Sequence, residues 1–255
     1  MNYLKKAVFV VVAIFPLLSL AACNPSKEEA VEKIESYLEQ KYDEDFKVTA
    51  IGGGYGTLTT NTLKANVEPK DAPGLTFDAE ITKDFKEVWD GYMNAVMAKK
   101  LGKDVAEMAQ QLFGSEAIVK TTMSSGGLSF PDRKLNDKKM SVPDFLKKTP
   151  KTQIALMIFL NSNGAMDAGV EAEKINSLAD QLLEQGIKTS FIGLDVFYVK
   201  PEEFAGINEK YGDFSNSTEA YEYYSNKERS YANAGMSLEE NVKQESLEEI
   251  KSNFE

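Results

Sequence analysis

Carboxylates are the most frequent chemically capable side chains in the sequence, and they fall in pairs and short runs: Asp43/Glu44/Asp45, Asp84/Glu87/Asp90, Glu202/Glu203 and Glu239/Glu240. Two carboxyl groups facing each other across a cleft, one with a raised pKa, would serve glycoside hydrolysis. These acids lie instead in polar runs or at the starts of expected helices, which is the pattern of solvated surface charge. Asn161-Ser162-Asn163-Gly164, with Asp167 three residues on, echoes a calcium loop but lacks the bidentate Glu. The cluster Gly52-Gly53-Gly54-Tyr55-Gly56 invites a phosphate-loop reading. Such a loop needs a strand before it and a helix N-terminus after it, so that amides and dipole meet the anion. Here a Thr-rich strand follows and no Gly-Lys-Ser/Thr occurs. The cluster reads as a glycine-rich hairpin or bulge, in which bare backbone at Gly53 and Gly54, beside Tyr55, is a candidate partner contact.

The absences exclude more. The chain has no His and one Cys, Cys23, which removes imidazole-based triads, His-ligated zinc, intramolecular disulfides and cysteine metal clusters. Ser–Lys chemistry needs no imidazole, but no Ser-x-x-Lys stands at a helix start and no Lys-Thr-Gly occurs. Only Arg133 and Arg229 supply guanidinium groups, which is poor for bidentate anion clamps. A formal charge of -11 argues against a nucleic-acid partner, whose phosphates need a basic footprint. No catalytic residue, metal or cofactor is assigned, and the chain reads as a binding protein rather than an enzyme. Tyr211, Tyr221, Tyr223, Tyr224 and Tyr231 are dense for so short a stretch. Aromatic residues serve both packing and interfaces, so Tyr221 and Tyr224 are further candidate partner contacts.

The elements that must position these residues are mixed. Val31, Ile34, Leu38 and Tyr42 recur at helical spacing, so 27–42 is expected as an amphipathic helix. Ser26 with Glu29 reads as its capping box. Alternation at Phe46/Val48/Ala50, Leu63/Ala65/Val67 and Leu75/Phe77/Ala79/Ile81 predicts an antiparallel three-stranded meander. The apolar stripe from Phe85 through Trp89 to Leu101 predicts a helix capped by Gly102, with Trp89 in its core. A second short helix then ends at Gly114. Further on, 117–123 reads as a strand, 128–140 as a polar loop, and Ser141-Val142-Pro143-Asp144 as a helix start. Ile154–Leu160 is apolar throughout and predicts an interior strand buried on both faces. A helix around Ile175–Leu183 and a strand over 191–199 complete a candidate parallel crossover. A tail helix at Ala220–Tyr224, broken near Gly235, precedes a last helix that Ser237 and Glu240 would cap, carrying Leu238, Val242, Leu247, Ile250 and Phe254. The expected fold class is therefore α+β: helix plus meander over 23–114, a mixed region over 115–212, and a helical tail over 213–255, whose last helix either docks on the domain or serves as a detachable partner helix.

The N-terminus has three zones: basic Met1–Lys6, an apolar run Ala7–Leu20, and Leu20-Ala21-Ala22-Cys23. Fourteen helical residues rise about 21 Å, short of the roughly 30 Å hydrocarbon core, so the run suits a cleaved export signal. The last four residues resemble the lipobox of bacterial lipoproteins. The resemblance implies cleavage after residue 22 and a diacylglyceryl thioether on Cys23, holding the protein on the extracytoplasmic face of the cell membrane. Loss of the leader, with Lys5 and Lys6 and no acid, makes the charge two units more negative. Two residues separate Cys23 from the expected helix cap, so the fold should sit close to the bilayer.

Tyr37-Leu38-Glu39-Gln40-Lys41-Tyr42, Phe46-Lys47-Val48, the glycine cluster and Pro69-Lys70-Asp71 resemble uncharacterised lipoproteins of Gram-positive bacteria. That likeness spans about residues 26–100 and implies no activity. The expected function is a surface-anchored lipoprotein whose ectodomain contacts a membrane or envelope protein. The alternatives are a small-molecule or peptide receptor and a His-independent envelope hydrolase.

Overall fold

The computed structural model describes residues 26–52, 62–125, 130–214 and 216–254. Helix α1 (Lys27–Tyr42) starts where Ser26 Oγ accepts the Glu29 N–H at 3.0 Å, and it buries Ala30, Ile34, Leu38 and Tyr42. Strands β1 (Phe46–Gly52), β2 (Thr62–Pro69), β3 (Phe77–Thr82) and β4 (Val88–Asp90) form an antiparallel sheet in that order. The meander thus has one strand more than expected. The sequence Val88-Trp89-Asp90 leaves the expected helix and pairs with Ile81-Glu80-Ala79. The turn before it holds Phe85 at φ 58, a left-handed backbone conformation that bulky residues rarely adopt.

Helix α2 (Tyr92–Phe113) runs unbroken through Gly102 and ends at Gly114, φ 69. Gly102 is not a cap. A Cβ there would stand 2.9 Å from Thr121 Oγ1, so its missing side chain lets α2 lie close on β5 (Ala117–Ser124). After α3 (Val142–Lys148) come β6 (Gln153–Asn161), α4 (Ala168–Glu184) and β7 (Phe191–Val199). As expected, β6 and β7 are parallel and joined through a helix. Short helices α5 (Pro201–Phe204), α6 (Ile207–Tyr211) and α7 (Ser217–Tyr224) follow. Then come β8 (Ser230–Glu239), β9 (Val242–Lys243) and α8 (Leu247–Ser252). The second sheet is ordered β5-β6-β7-β8-β9 and is antiparallel except at β6/β7.

The tail corrects one expectation. Ser237 caps nothing; it pairs with Gly193 inside the sheet. Ala234, Met236 and Leu238 alternate inward and are buried, so the period is two rather than 3.6. The capping box belongs to Ser246 and Glu249, one element later, at the start of a shorter helix. Ile250 of that helix is fully buried, so the last helix docks.

One hydrophobic core runs from Ile34 through Ile81, Met97 and Leu156 to Leu238 and Ile250, crossing both sheets. A second, smaller core places Met157, Phe159, Phe197 and Val199 under Phe204, Ile207, Ala220 and Tyr224. Strands β6 and β7 are therefore covered on both faces, which is why 154–160 carries no polar residue. The architecture is α+β, with an antiparallel four-stranded sheet and a mixed five-stranded one.

Candidate functional site

An open cleft of about 770 Å³ lies between the outer face of the first sheet and a wall from the second half of the chain. Strand alternation builds the first side. Val88 and Asp90 face inward and are buried, so Trp89 points to the opposite face, where it joins Thr62 and Glu80. Trp89 is therefore half-buried on a strand rather than enclosed in a helical core as expected, and its flat ring lines the cleft.

A buried hub fixes β4 in place. Asp90 accepts hydrogen bonds from Lys41 Nζ at 2.7 Å, the Tyr42 hydroxyl at 2.7 Å and the Tyr92 N–H at 3.2 Å. Burial and then the Asp90 charge push the Tyr42 phenol far above its usual range, so it stays a donor. Removing one partner from such a buried charge pair typically costs about 3–5 kcal/mol, so this acid of the Asp84/Glu87/Asp90 run is a clamp behind Trp89.

The facing wall carries Ser125, Phe130, Pro131, Asp132, Arg133 and the turn Lys148–Thr152. The Asn94 amide of α2 donates to Ser125 Oγ at 3.1 Å. Lys100 Nζ donates to the carbonyls of Lys138 and Met140 at 2.6 and 2.9 Å, pinning the polar segment that leads away from the cleft. The Arg133 guanidinium stands over the Trp89 ring, 5.6 Å from its centroid, a cation–π geometry. Glu80 accepts from Thr62 Oγ1 at 2.9 Å and meets Lys64 at 3.2 Å. Thr152, almost fully buried, has a hydroxyl with no hydrogen-bond partner among the described residues.

Of the partner-contact candidates taken from the sequence, Tyr221 and Tyr224 do not line this cleft. Cys23, Gly53, Gly54 and Tyr55 lie outside the described residues. Tyr224 is buried in the second core, its ring edge-on to Phe159 at 4.7 Å, and burial raises its pKa to about 12. Tyr221 is exposed; its ring meets Phe197 at 5.5 Å and its hydroxyl accepts from Asn233 at 3.4 Å. In the calcium-like loop, Asn163 and Asp167 turn their oxygens to the backbone N–H groups of Ala165, Gly169 and Val170. Among the described residues no group of three or more His, Cys, Asp or Glu could hold a metal ion.

The acidic runs give no facing pair in the cleft. Asp84 is held down to about 2 by the Lys86 ammonium beside it. Outside the cleft, Asp195 on β7 has its pKa raised to about 6, through burial first and the nearby charge of Glu245 second. Glu245 itself accepts from the Ser237 N–H at 2.7 Å. No sequence signal marks Asp195, since its surroundings are made by pairing with β8.

No protein-family model matches the chain, and no curated protein matches it. Among solved structures, the crystal structure of a DUF5037 family protein from Ruminococcus gnavus is similar. The match covers 89% of this chain and 99% of that one, at 16% identity and a TM-score of 0.52. At that identity the likeness shows the fold alone.

Proposed function

We propose that the chain is an exported binding protein, tethered through a diacylglyceryl group on Cys23 to the outer face of the cell membrane. In this reading the folded part holds a peptide segment of a membrane or envelope protein in the Trp89 cleft. The cleft carries the binding part: its volume lies within the roughly 300–1,000 Å³ typical of ligand sites, and it combines apolar and aromatic walls with a few polar groups. That volume also suits a small molecule. A carboxylate-driven hydrolase draws no support from the cleft, because Glu80 is engaged by Thr62 and Lys64, and Asp132 Oδ1 accepts the Lys134 N–H at 2.9 Å. The anchor rests on the three-zone N-terminus with Cys23 at its end; two acyl chains hold a protein stably where one does not.

Both parts are testable in a Gram-positive host. Cys23→Ser should move the protein from the membrane fraction to the medium, and unchanged fractionation defeats the anchor. A photo-crosslinking residue in place of Thr149 should trap a discrete peptide of an envelope protein. Trp89→Ala should abolish that adduct while circular dichroism stays the same. Adducts that ignore Trp89→Ala defeat the cleft reading.

A further inference from the structure

The charges around the cleft are unevenly matched. Of its two carboxylates, Glu80 is bonded by Thr62 and paired with Lys64, and Asp132 accepts the Lys134 N–H without an ion pair among the described residues. Its two lysines are not paired: among the described residues neither Lys148 nor Lys151 forms a salt bridge, and the Arg133 guanidinium reaches Glu87 only at 3.9 Å. Asp144 lies near enough to feel the Lys148 charge, but it bonds Lys147 at 3.0 Å. These three cations line one cleft in a chain whose formal charge is -11. Beside them stand flat or apolar surfaces: Trp89, Phe130 and Pro150.

We infer that the cleft selects an acidic peptide segment, with an aromatic or apolar side chain against Trp89 and Phe130 and a side-chain carboxylate held by Lys148, Lys151 and Arg133. This rests on the peptide-binding reading above and names its ligand class. Charge complementarity of this kind sets specificity more than raw affinity. A neutral segment of the same shape leaves Lys148 and Lys151 without a partner, and an acidic one completes them. Arg133, 5.6 Å from the centroid of the Trp89 ring, presents a planar fork suited to a carboxylate. Lys148 and Lys151 act as point charges on flexible stems.

Trp89 is the only tryptophan of the chain, so its emission reports occupancy of the cleft directly. The full chain in a non-ionic detergent is immobilised and exposed to a mixed library of acetylated, C-terminally amidated hexapeptides. Retained peptides should be enriched in Asp or Glu together with an aromatic residue. The best of them, resynthesised, should shift Trp89 emission saturably. Its Asn/Gln counterpart should bind about tenfold more weakly or worse, the scale of one charged contact. The double variant Lys148→Gln/Lys151→Gln should lose affinity for the acidic peptide to a similar degree and keep its affinity for the neutral one. Retention without acid enrichment, or a double variant within about twofold of the parent, overturns the inference and leaves the cleft as a peptide site. If no retained peptide shifts Trp89 emission, the peptide-binding reading falls as well.

Discussion

Asp195 shows what a single residue reveals once its neighbours are known. It sits opposite Gly235 in the β7/β8 ladder, and a Cβ on that glycine would stand 2.7 Å from Asp195 Oδ1. The carboxyl group is thereby pressed among backbone, Met157 and the Glu245 charge, and its pKa rises from 3.8 to about 6. Between those two values the folded chain binds more protons than the unfolded one. Stability therefore falls as the pH rises through this window, and the full penalty applies above it, on the order of 3 kcal/mol. Asp195→Asn should stabilise the protein by about 1–2 kcal/mol near pH 7.5, with the gain vanishing toward about pH 4. Urea midpoints at the two pH values check this; a gain independent of pH places its origin elsewhere. Phe85 is the other residue held against its preference. Its φ of 58 costs about 1–2 kcal/mol in a non-glycine residue, and its ring packs on the main core and lines a groove of about 600 Å³ with Tyr37 and Val88.

At the scale of elements, α2 and β5 decide how the two sheets meet, and Gly102 decides how closely. In an isolated helix, Gly→Ala gains up to about 1 kcal/mol. Here the new Cβ meets Thr121 Oγ1 at 2.9 Å, and a β-branched side chain is stiff at χ1. The Thr121 hydroxyl is also buried with no partner among the described residues. Gly102→Ala should therefore lower stability by about 1–2 kcal/mol, and Gly102→Ala/Thr121→Ala should restore most of it. Thermal melts of the two variants decide the matter; a stabilising single variant would show the contact to be soft. The same helix shows what was legible in the sequence. Its apolar stripe and its stop at Gly114 were visible. Gly102 looked like an end because glycine is costly inside a helix, and only the approach of β5 explains it. Strand β4 is three residues long, too short to separate a period of two from one of 3.6. Ser237 and Glu240 mimic a helix start, and pairing with β7 overrides that local signal. Long buried runs such as 154–160 suffer no such competition and were readable. The cleft was not, because Trp89, Arg133 and Lys148 are far apart in the chain and converge only through packing.

For the whole molecule, the question is whether two sheets make one cooperative body. The main core includes Ile34 of α1, Ile81 of β3, Met97 of α2, Leu156 of β6, Leu194 of β7 and Ile250 of α8 without interruption. Helix α2 contributes to it along its length, burying Met93, Met97, Leu101, Val105 and Met108. Residue 114 separates the strands of the two sheets in sequence, yet no separate core forms on either side of it among the described residues: the smaller core lies wholly within the second half. Removing either sheet would expose the face of α2 that the other leaves buried. Unfolding should then be all-or-none. Trp89 emission reports the first sheet, and far-UV circular dichroism reports every helix, most of which follow residue 114. In a urea titration the two signals should share one midpoint and one slope, because partial opening would strand apolar surface that both sheets share. An earlier Trp89 transition would instead mark the first sheet as a separately opening unit. Since the cleft is walled by both halves, a ligand seated there should raise the common midpoint in both signals by the same amount, as expected for any molecule that binds only the folded state.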